Sequence, residues 1–493
     1  MNFAYNFPFF SILFTMTAGI VSSVLDSKKA YYLNLIVTLV TTVMSAILLV
    51  TLVNEETSIT YLMGHFSAPW GNEIRFGPFE AIMAFVFSII MLFIIIGQKQ
   101  VIEDQVKQYK RNLFYIMMNM MMSSLYALIY TNDLFTAYVF IEINTLCSCG
   151  LLIARENIKS IAGTMKYLLM SMLGSGLFLI SIILLYDLTG HLLMVNVHDS
   201  LSVLIASGEY KLPITIIIGL LAVSMAIKSA LFPFHTWVSH AYNHSLNFAN
   251  AISSSLVTKG YIILLIKFIY RVFDLEVVSS LKIGNVFIVF GIISIIAGSY
   301  DALRENNSKR LLGFSSVGQI GYIFTGIGLA STVGMLAASY VIIAHAFCKT
   351  LLFLANEGLM KSSNDSKNII DLKGVAYRNP IAALGYLVGS LALIGIPLCS
   401  GFVGKYYLSM AALESGTISI FILLALAIST VLNAIYLTRV VILMFTRCTN
   451  SCLVYKQPIN ASISLIVFII INTLIGIYYL PVLEVIASGL TLL

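Results

Sequence analysis

Lys166, Lys228, Lys259, Lys267, Lys349, Lys405 and Arg439 stand inside long apolar runs, and Glu142 stands inside another. A charge at bilayer depth costs roughly 2.5–3.5 kcal/mol even on lenient insertion scales, so such residues turn to a bundle interior or a hydrated path. Amines, a carboxylate and an imidazole repeated at that depth form a route for a proton or a cation. An unpaired buried carboxylate takes up a proton, and an unpaired buried lysine gives one up. If Glu142 faces Lys228, both keep their charge, and separating them expels the lysine's proton. A small helix movement then becomes a proton transfer. The bland alternative is a static ion pair that locks two helices.

The other groups extend the row. Lys259 lies mid-run in Val257-Thr258-Lys259-Gly260-Tyr261. His345 and Lys349 are one turn apart and share a helix face. Histidine titrates near neutrality and suits the middle of a relay, although a lone buried histidine is more often a packing residue. Lys405 is expected to be the terminal group. Lys166, beside Tyr167, either belongs to the row or snorkels to the interface. Lys267 and Arg439 read as snorkelling or packing groups. Glu80 either lines a water path or pairs with a neighbouring helix, and Glu357 and Asp187 read as solvated span ends.

No cofactor or metal site is expected. Cys147, Cys149, Cys348 and Cys399 read as packing residues, and Cys448 and Cys452 form a single pair where zinc wants four ligands. The patch Met117-Met118-Asn119-Met120-Met121-Met122 reads as soft packing. With no paired CxxC, no glycine-rich nucleotide loop and no haem-attachment signature, energy must arrive from partners or from an ion gradient.

The elements that hold these residues are membrane helices. The chain is 59% hydrophobic and 10% charged over 493 residues, against about 25% charge in a soluble domain. Apolar runs recur along the whole length, which indicates one all-α polytopic membrane domain. About fourteen spans are expected, at 7–25, 30–53, 77–97, 112–131, 133–154, 163–187, 213–235, 246–270, 283–301, 312–331, 333–357, 382–409, 416–446 and 460–483, each long enough for a core of about 30 Å. Met1–Phe7 has no basic n-region, so the first run is expected to be retained as a span.

Basic residues test this division. Connectors after odd-numbered spans hold seventeen and those after even spans hold four, and with the seven in apolar runs these account for all 28. The odd connectors are then cytoplasmic and both termini face outward. The net charge of +6 reports topology and contact with anionic lipids, not nucleic acid. Two spans combine a buried lysine with helix breakers: Lys228 with Pro233, and Gly395, Pro397 and Gly401 with Lys405. Proline removes a backbone donor and blocks the carbonyl a turn earlier. Interrupted helices at corresponding places in two halves point to a transport site between inverted repeats.

Six stretches together resemble a known family. They are Asp133–Ile143 with Glu142, Lys228–Trp237 (K-S-A-L-F-P-F-H-T-W), Lys259-Gly260-Tyr261, Ser308–Tyr322, His345–Phe353 (H-A-F-C-K-T-L-L-F) and Gly395–Lys405 (G-I-P-L-C-S-G-F-V-G-K). In this order they resemble the antiporter-like subunits shared by Mrp-type cation/proton antiporters, respiratory complex I and membrane-bound hydrogenases, over about residues 75–445. The resemblance implies fourteen helices with two inverted five-helix repeats, at about 112–270 and 283–446, flanked by peripheral helices at 7–97 and 460–483. It implies Glu142 and Lys228 as a coupled pair, Lys259 and His345 as the central relay, and Lys405 as the terminal lysine. It also implies partner membrane subunits, further antiporter-like subunits among them, in a bacterial or archaeal cell membrane, with protons as the moving ion and Na⁺ as the alternative. Lys405 resembles the D-type Mrp subunit and its hydrogenase relatives more than the complex I member with glutamate there.

The chain departs from the family after Trp237. The usual Leu-Pro, Ala-His and Ala-Pro-Ser are replaced by Val238-Ser239-His240-Ala241-Tyr242-Asn243-His244-Ser245-Leu246-Asn247, so the connector on that side is remodelled, with His240 and His244 as solvated replacements or a gate. The leading function is a proton- or cation-translocating subunit of a larger membrane complex, of Mrp or membrane-bound hydrogenase type. A proton-pumping subunit of a complex I-type quinone oxidoreductase is the alternative. A stand-alone secondary transporter and a purely structural subunit are the remaining readings.

Overall fold

The computed structural model describes residues 3–66, 71–155, 157–208, 210–447, 455 and 457–493; Cys448 and Cys452 lie outside them. Among the described residues thirteen helices are long and apolar enough to cross a membrane: Phe3–Ser22, Ser27–Glu55, Pro78–Gln105, Gln108–Tyr130, Leu134–Ile153, Ile158–Thr189, Lys211–Ser229, Asn247–Phe273, Ile283–Arg304, Ser308–Gly328, Thr332–Lys361, Gly416–Phe445 and Ile459–Ile477. The remaining crossing is split into Pro380–Ile394 and Ser400–Leu413. Counting the split pair as the twelfth gives the fourteen spans of the sequence reading, numbered accordingly below.

Local sequence explains where helices begin. Asp133, Asn157, Asn307, Ser331 and Asn379 each accept a hydrogen bond from a backbone N–H of the first turn that follows, satisfying donors that a helix start leaves open. The two breaks follow their prolines but differ in form. The seventh span stops at Ser229, six residues short of the expected end. Ala230 takes φ +65 and Thr236–His244 follows as a separate short helix. The twelfth breaks in the middle, with φ +84 at Gly395 and +72 at Leu398. Lys228 therefore precedes its break, whereas Lys405 follows its own.

The eighth, tenth and eleventh spans form the axis of the molecule: their apolar windows are 100%, 100% and 94% buried, against 28–39% for the first, second, sixth, thirteenth and fourteenth. Close backbone approach holds the ninth against the tenth. A Cβ on Gly298 would lie 2.5 Å from the Gly318 nitrogen, and one on Gly284 would lie 2.3 Å from the Gly328 oxygen. Small residues permit such contact, which is how helices associate in lipid. The eighth span is interrupted by two π-helical turns, Ser253–Val257 and Ile269–Phe273.

Cross-links between connectors sort into two faces. On one, Tyr5 bonds Glu55, Met194 N–H donates to Asn132 O at 2.9 Å, His198 meets Asp274 at 3.8 Å and Arg75 donates to Leu492 O at 3.2 Å. That face carries both ends of the chain and the connectors after even spans. On the other, Gln105 donates to Glu357 at 2.9 Å, Lys367 to Asn243 O at 2.5 Å, and Gly374 N–H to Leu443 O at 3.1 Å, all from connectors or helix ends after odd spans. The parity read from charge is reproduced. Hydropathy had not revealed the hairpin Ile59–Leu62 with Glu73–Phe76 or the helices Met194–Ser207 and Tyr479–Thr491.

Candidate functional site

Lys228 ends the seventh span with 1% exposure. Its Nζ donates to Thr145 Oγ1 of the fifth span at 2.9 Å and to Ser171 Oγ of the sixth at 3.2 Å, and lies 5.4 Å from the Tyr261 ring centre in the eighth. Thr145 Oγ1 is also 3.2 Å from Tyr261 Oη. The direct Glu142–Lys228 ion pair that the sequence reading entertained is not formed: among the described residues no ion pair within 4.0 Å joins them. Glu142 falls on a stripe with Phe135, Val139 and Leu146, which are 49%, 38% and 60% exposed, at the helical spacings 4, 7 and 11. That stripe faces out of the chain, and Glu142 is half-buried on it. Thr145, one turn further along, is the group that reaches Lys228.

Lys259 follows the first π turn of the eighth span. Its Nζ donates to Ser254 O at 2.5 Å and to Thr258 Oγ1 at 3.3 Å. The three serines of that turn each reach a different neighbour. Ser253 accepts from Tyr242 Oη at 3.2 Å, Ser254 Oγ is 2.9 Å from Ser316 Oγ, and Ser255 accepts from Thr350 at 2.9 Å. Lys349 in the eleventh span donates to Leu312 O at 2.9 Å and to Ser315 Oγ. Lys349 therefore holds a serine of the tenth span directly, whereas Lys259 bonds the carbonyl of Ser254, whose hydroxyl contacts the adjacent Ser316.

His345 is 3% exposed, and neither ring nitrogen has a hydrogen-bond partner in the protein. It lines an internal cavity of about 20 Å³ with Gln319, Tyr322, Cys348, Ser400 and Lys405. A water needs roughly 10–15 Å³ by the same measure and two to four polar partners, so this space between His345 and Lys405 suits one water. Lys405 Nζ donates to Ile394 O, the last carbonyl of the first half-helix, at 2.7 Å and to Thr430 Oγ1 at 3.0 Å, and sits 5.4 Å from the Tyr322 ring centre. Lysine at a helix C-terminus meets carbonyls that the break leaves without donors. Tyr322 Oη continues to Ser429 at 2.6 Å, and Ser429 to Ser299 at 2.8 Å.

The six candidate residues thus occupy five spans. Hydrogen bonds link the four lysines to hydroxyls rather than to one another, and none joins Lys228 to Lys259 or Lys349 to His345 among the described residues. The hydroxyl residues Thr145, Ser171, Ser254, Ser315, Ser316 and Thr430 escaped the sequence reading. The run Ser253-Ser254-Ser255 immediately before Thr258-Lys259 is the one signal that marks them.

The remaining charges have structural partners. Lys267 donates to Ile129 O at 2.7 Å and Thr131 O at 2.5 Å, closing the C-terminal end of the fourth span. Arg439 donates to Glu305 O at 3.0 Å beyond the end of the ninth. Glu80 pairs with Arg271 at 2.5 Å with both side chains 1% exposed, so Arg271 is not the solvated connector charge that the division into spans made it. Glu357, expected to be solvated, is buried and accepts from Gln105 and Asn247; Asp187 is exposed. Lys166 is exposed and lies 3.2 Å from His240 Nε2. His240 sits between membrane spans, and burial, then the nearby Lys166 and Arg310 charges, hold its pKa below the ordinary value.

The family described as NADH:quinone oxidoreductase/Mrp antiporter, TM matches residues 131–433, which contain every candidate residue. NADH-quinone oxidoreductase subunit N of Desulforudis audaxviator is 28% identical over 393 residues, 79% of this chain and 76% of the relative. Subunit L of Buchnera aphidicola is 28% identical over 371 residues, 74% of this chain and 58% of the relative. The fold is shared with a chain of the Mrp complex from Dietzia sp. DQ12-45-1b, with TM-score 0.89 at 20% identity over 100% of this chain and 97% of that one. It is shared equally with a chain of the membrane-bound sulfane sulfur reductase, an archaeal respiratory membrane complex, with TM-score 0.88 at 21% identity over 99% and 97%. The family match spans well over half of the sequence, and the chain belongs to the NADH:quinone oxidoreductase/Mrp antiporter transmembrane family as an antiporter-like membrane subunit.

Proposed function

We propose that this chain carries protons across the membrane along Glu142, Lys228, Lys259, Lys349, His345 and Lys405, as one subunit of a multisubunit complex in a bacterial or archaeal cell membrane. The observation that carries this reading is the placement of the row. Its central lysines and histidine lie on the most buried spans at the axis, each amine is bonded to a hydroxyl, and a water-sized cavity lies between His345 and Lys405. Amines and imidazoles bind protons, whereas Na⁺ and other hard cations want oxygen ligands, so the proton is the ion this row suits.

Two inverted repeats, at about 112–270 and 283–446, frame the row in this reading, and the face with both chain ends is the outer one because the opposite face carries most of the basic connectors. The relatives' names support membrane partners, further antiporter-like subunits among them, which supply the driving energy. The test is proton movement by the assembled complex in everted membrane vesicles. Lys228→Ala and Lys405→Ala are expected to lower the initial rate about 10²-fold or more, the contribution of a positioned proton-transfer group, with the complex intact on native gels. Native rates in both variants would remove the row from the route.

A further inference from the structure

Arg439 is tied to the end of the ninth span through Leu303 O at 3.5 Å, Glu305 O at 3.0 Å and Asn306 Oδ1 at 2.8 Å. A guanidinium has five donors, so two are left over. Arg439 also forms part of the wall of an open cleft of about 620 Å³ on the face of the odd connectors. Asn306, Asn368, Ile370, Ile442 and Leu443 line it too, and among the described residues that do so Arg439 is the one charge. The acids nearby are engaged: Glu305 pairs with Arg310 at 2.6 Å, and Asp371 accepts from Ser366 and Asn368.

The depth of this charge is set by the helix that carries it. Arg439 stands six residues before Phe445, the last residue of the thirteenth span, which is about 9 Å along the axis. A headgroup layer is roughly 5–8 Å deep. The arm reaches up to Asn306, beyond the end of the ninth span, and so carries the guanidinium into that layer. Arg304 lies over the Tyr300 ring at 5.6 Å on the same end of the ninth span, and tyrosine favours this depth. Toward the core, Leu424, Ile428, Val431 and Ile435 are exposed at spacings 4, 3 and 4. Arg439 is four residues further on and Ile442 three beyond it, so all six share one stripe. Toward the surface, Ile442 and Ile370 are 65% and 71% exposed.

A cation with spare donors thus sits at headgroup depth, in an apolar cleft, at the head of an apolar track into the core. A soluble anion needs only the cation, and an acidic peptide has no use for the track. A phospholipid uses all three. We propose that this cleft holds one anionic phospholipid, its phosphate on the free donors of Arg439 and an acyl chain along the stripe of the thirteenth span. Basic pockets at the cytoplasmic ends of membrane helices take acidic headgroups in this way.

The test uses the assembled complex in phosphatidylcholine vesicles doped with phosphatidylglycerol that carries a diazirine in its acyl chain, with adducts mapped by peptide mass spectrometry. Adducts are expected on the thirteenth span and on Ile369–Leu372. They should exceed those from phosphatidylcholine with the same diazirine about fivefold, the weight of one basic group near an anionic surface. Arg439→Gln should bring the two lipids level. If that variant fails to assemble, Ile370→Glu decides, because this side chain is exposed and the bonds of Arg439 to the ninth span are kept: it should remove the preference equally. Equal labelling by the two lipids in the native complex, or a preference that survives in the variant that assembles, overturns the proposal. Absence of adducts overturns it too, as the mark of a partner subunit over the cleft. So does inorganic phosphate that competes as well as unlabelled phosphatidylglycerol, the mark of a soluble-anion site. The readout is lipid labelling, which Lys228→Ala should leave unchanged, so this site and the proton row fail separately.

Discussion

Thr145→Val isolates the hydroxyl of the fifth span that holds Lys228. Thr145 is fully buried, and valine matches its shape, so the packing of the fifth span against the sixth and eighth is kept. What is lost is one oxygen that accepts from Lys228 Nζ at 2.9 Å, lies 3.2 Å from Tyr261 Oη and 3.4 Å from Ser171 Oγ, and donates to Ile141 O at 2.9 Å. Lys228 keeps only Ser171 and the Tyr261 ring. A hydrogen bond to a charged group is worth about 1.5–3 kcal/mol, and each 1.4 kcal/mol is tenfold, so proton movement is expected to fall roughly 10- to 150-fold. Thr145→Ser keeps the oxygen and should stay close to the native rate. The assay is the initial rate of dye-reported acidification in everted vesicles, normalised to intact complex. A rate for Thr145→Val within about twofold of native, well under the loss one such bond predicts, would refute the hydroxyl link, as would a Thr145→Ser variant that is equally slow.

Two further outcomes follow from the charges outside the row. Arg271→Ala strands the Glu80 carboxylate in a site where both side chains are 1% exposed, which costs about 3–5 kcal/mol. The thermal midpoint of the solubilised complex should drop, and Glu80→Met with Arg271→Met should recover most of it. His240 has a pKa held below its ordinary 6.5 by burial and by the Lys166 and Arg310 charges, so it is neutral and able to accept from Lys166 at neutral pH. The folded state resists protonation here, so the contact is complete above about pH 6.5 and is lost as pH falls through the lowered value. Ser239 lines a cavity with His240 and is 6% exposed, so thiol labelling at Ser239→Cys should accelerate on acidification, and His240→Gln should flatten that dependence. A dependence that survives in His240→Gln would move the titration to His235, Asp301 or Glu305, which share the cavity with Arg304.

The stretch after Trp237 shows how a motif departure is resolved in space. Asn247, at the end of that stretch, donates to Glu357 at 2.5 Å and accepts from Asn356 at 3.3 Å. Lys309 donates to Ser245 O at 2.8 Å, and Asn250 to Tyr242 O at 2.8 Å. Polar side chains thus hold a turn that the family pattern holds with prolines. The sequence exposed the missing prolines but not their replacement, because Lys309, Asn356 and Glu357 come from the tenth and eleventh spans, more than sixty residues away, and only the Asn250 contact is local.

The sequence by itself determined the fourteen crossings, their parity, the two breaks and the identity of the ionisable groups. Each of these is a local signal: a charge or a proline within an apolar run cannot be hidden from hydropathy or from backbone donors. Only the tertiary structure decided which group each lysine holds, that Glu142 lies on an outward stripe, and that Arg439 lines an open cleft. Serine and threonine leave little trace in a membrane span, since they bond their own helix as readily as a neighbour. Which face a helix turns inward is set by the helices packed against it.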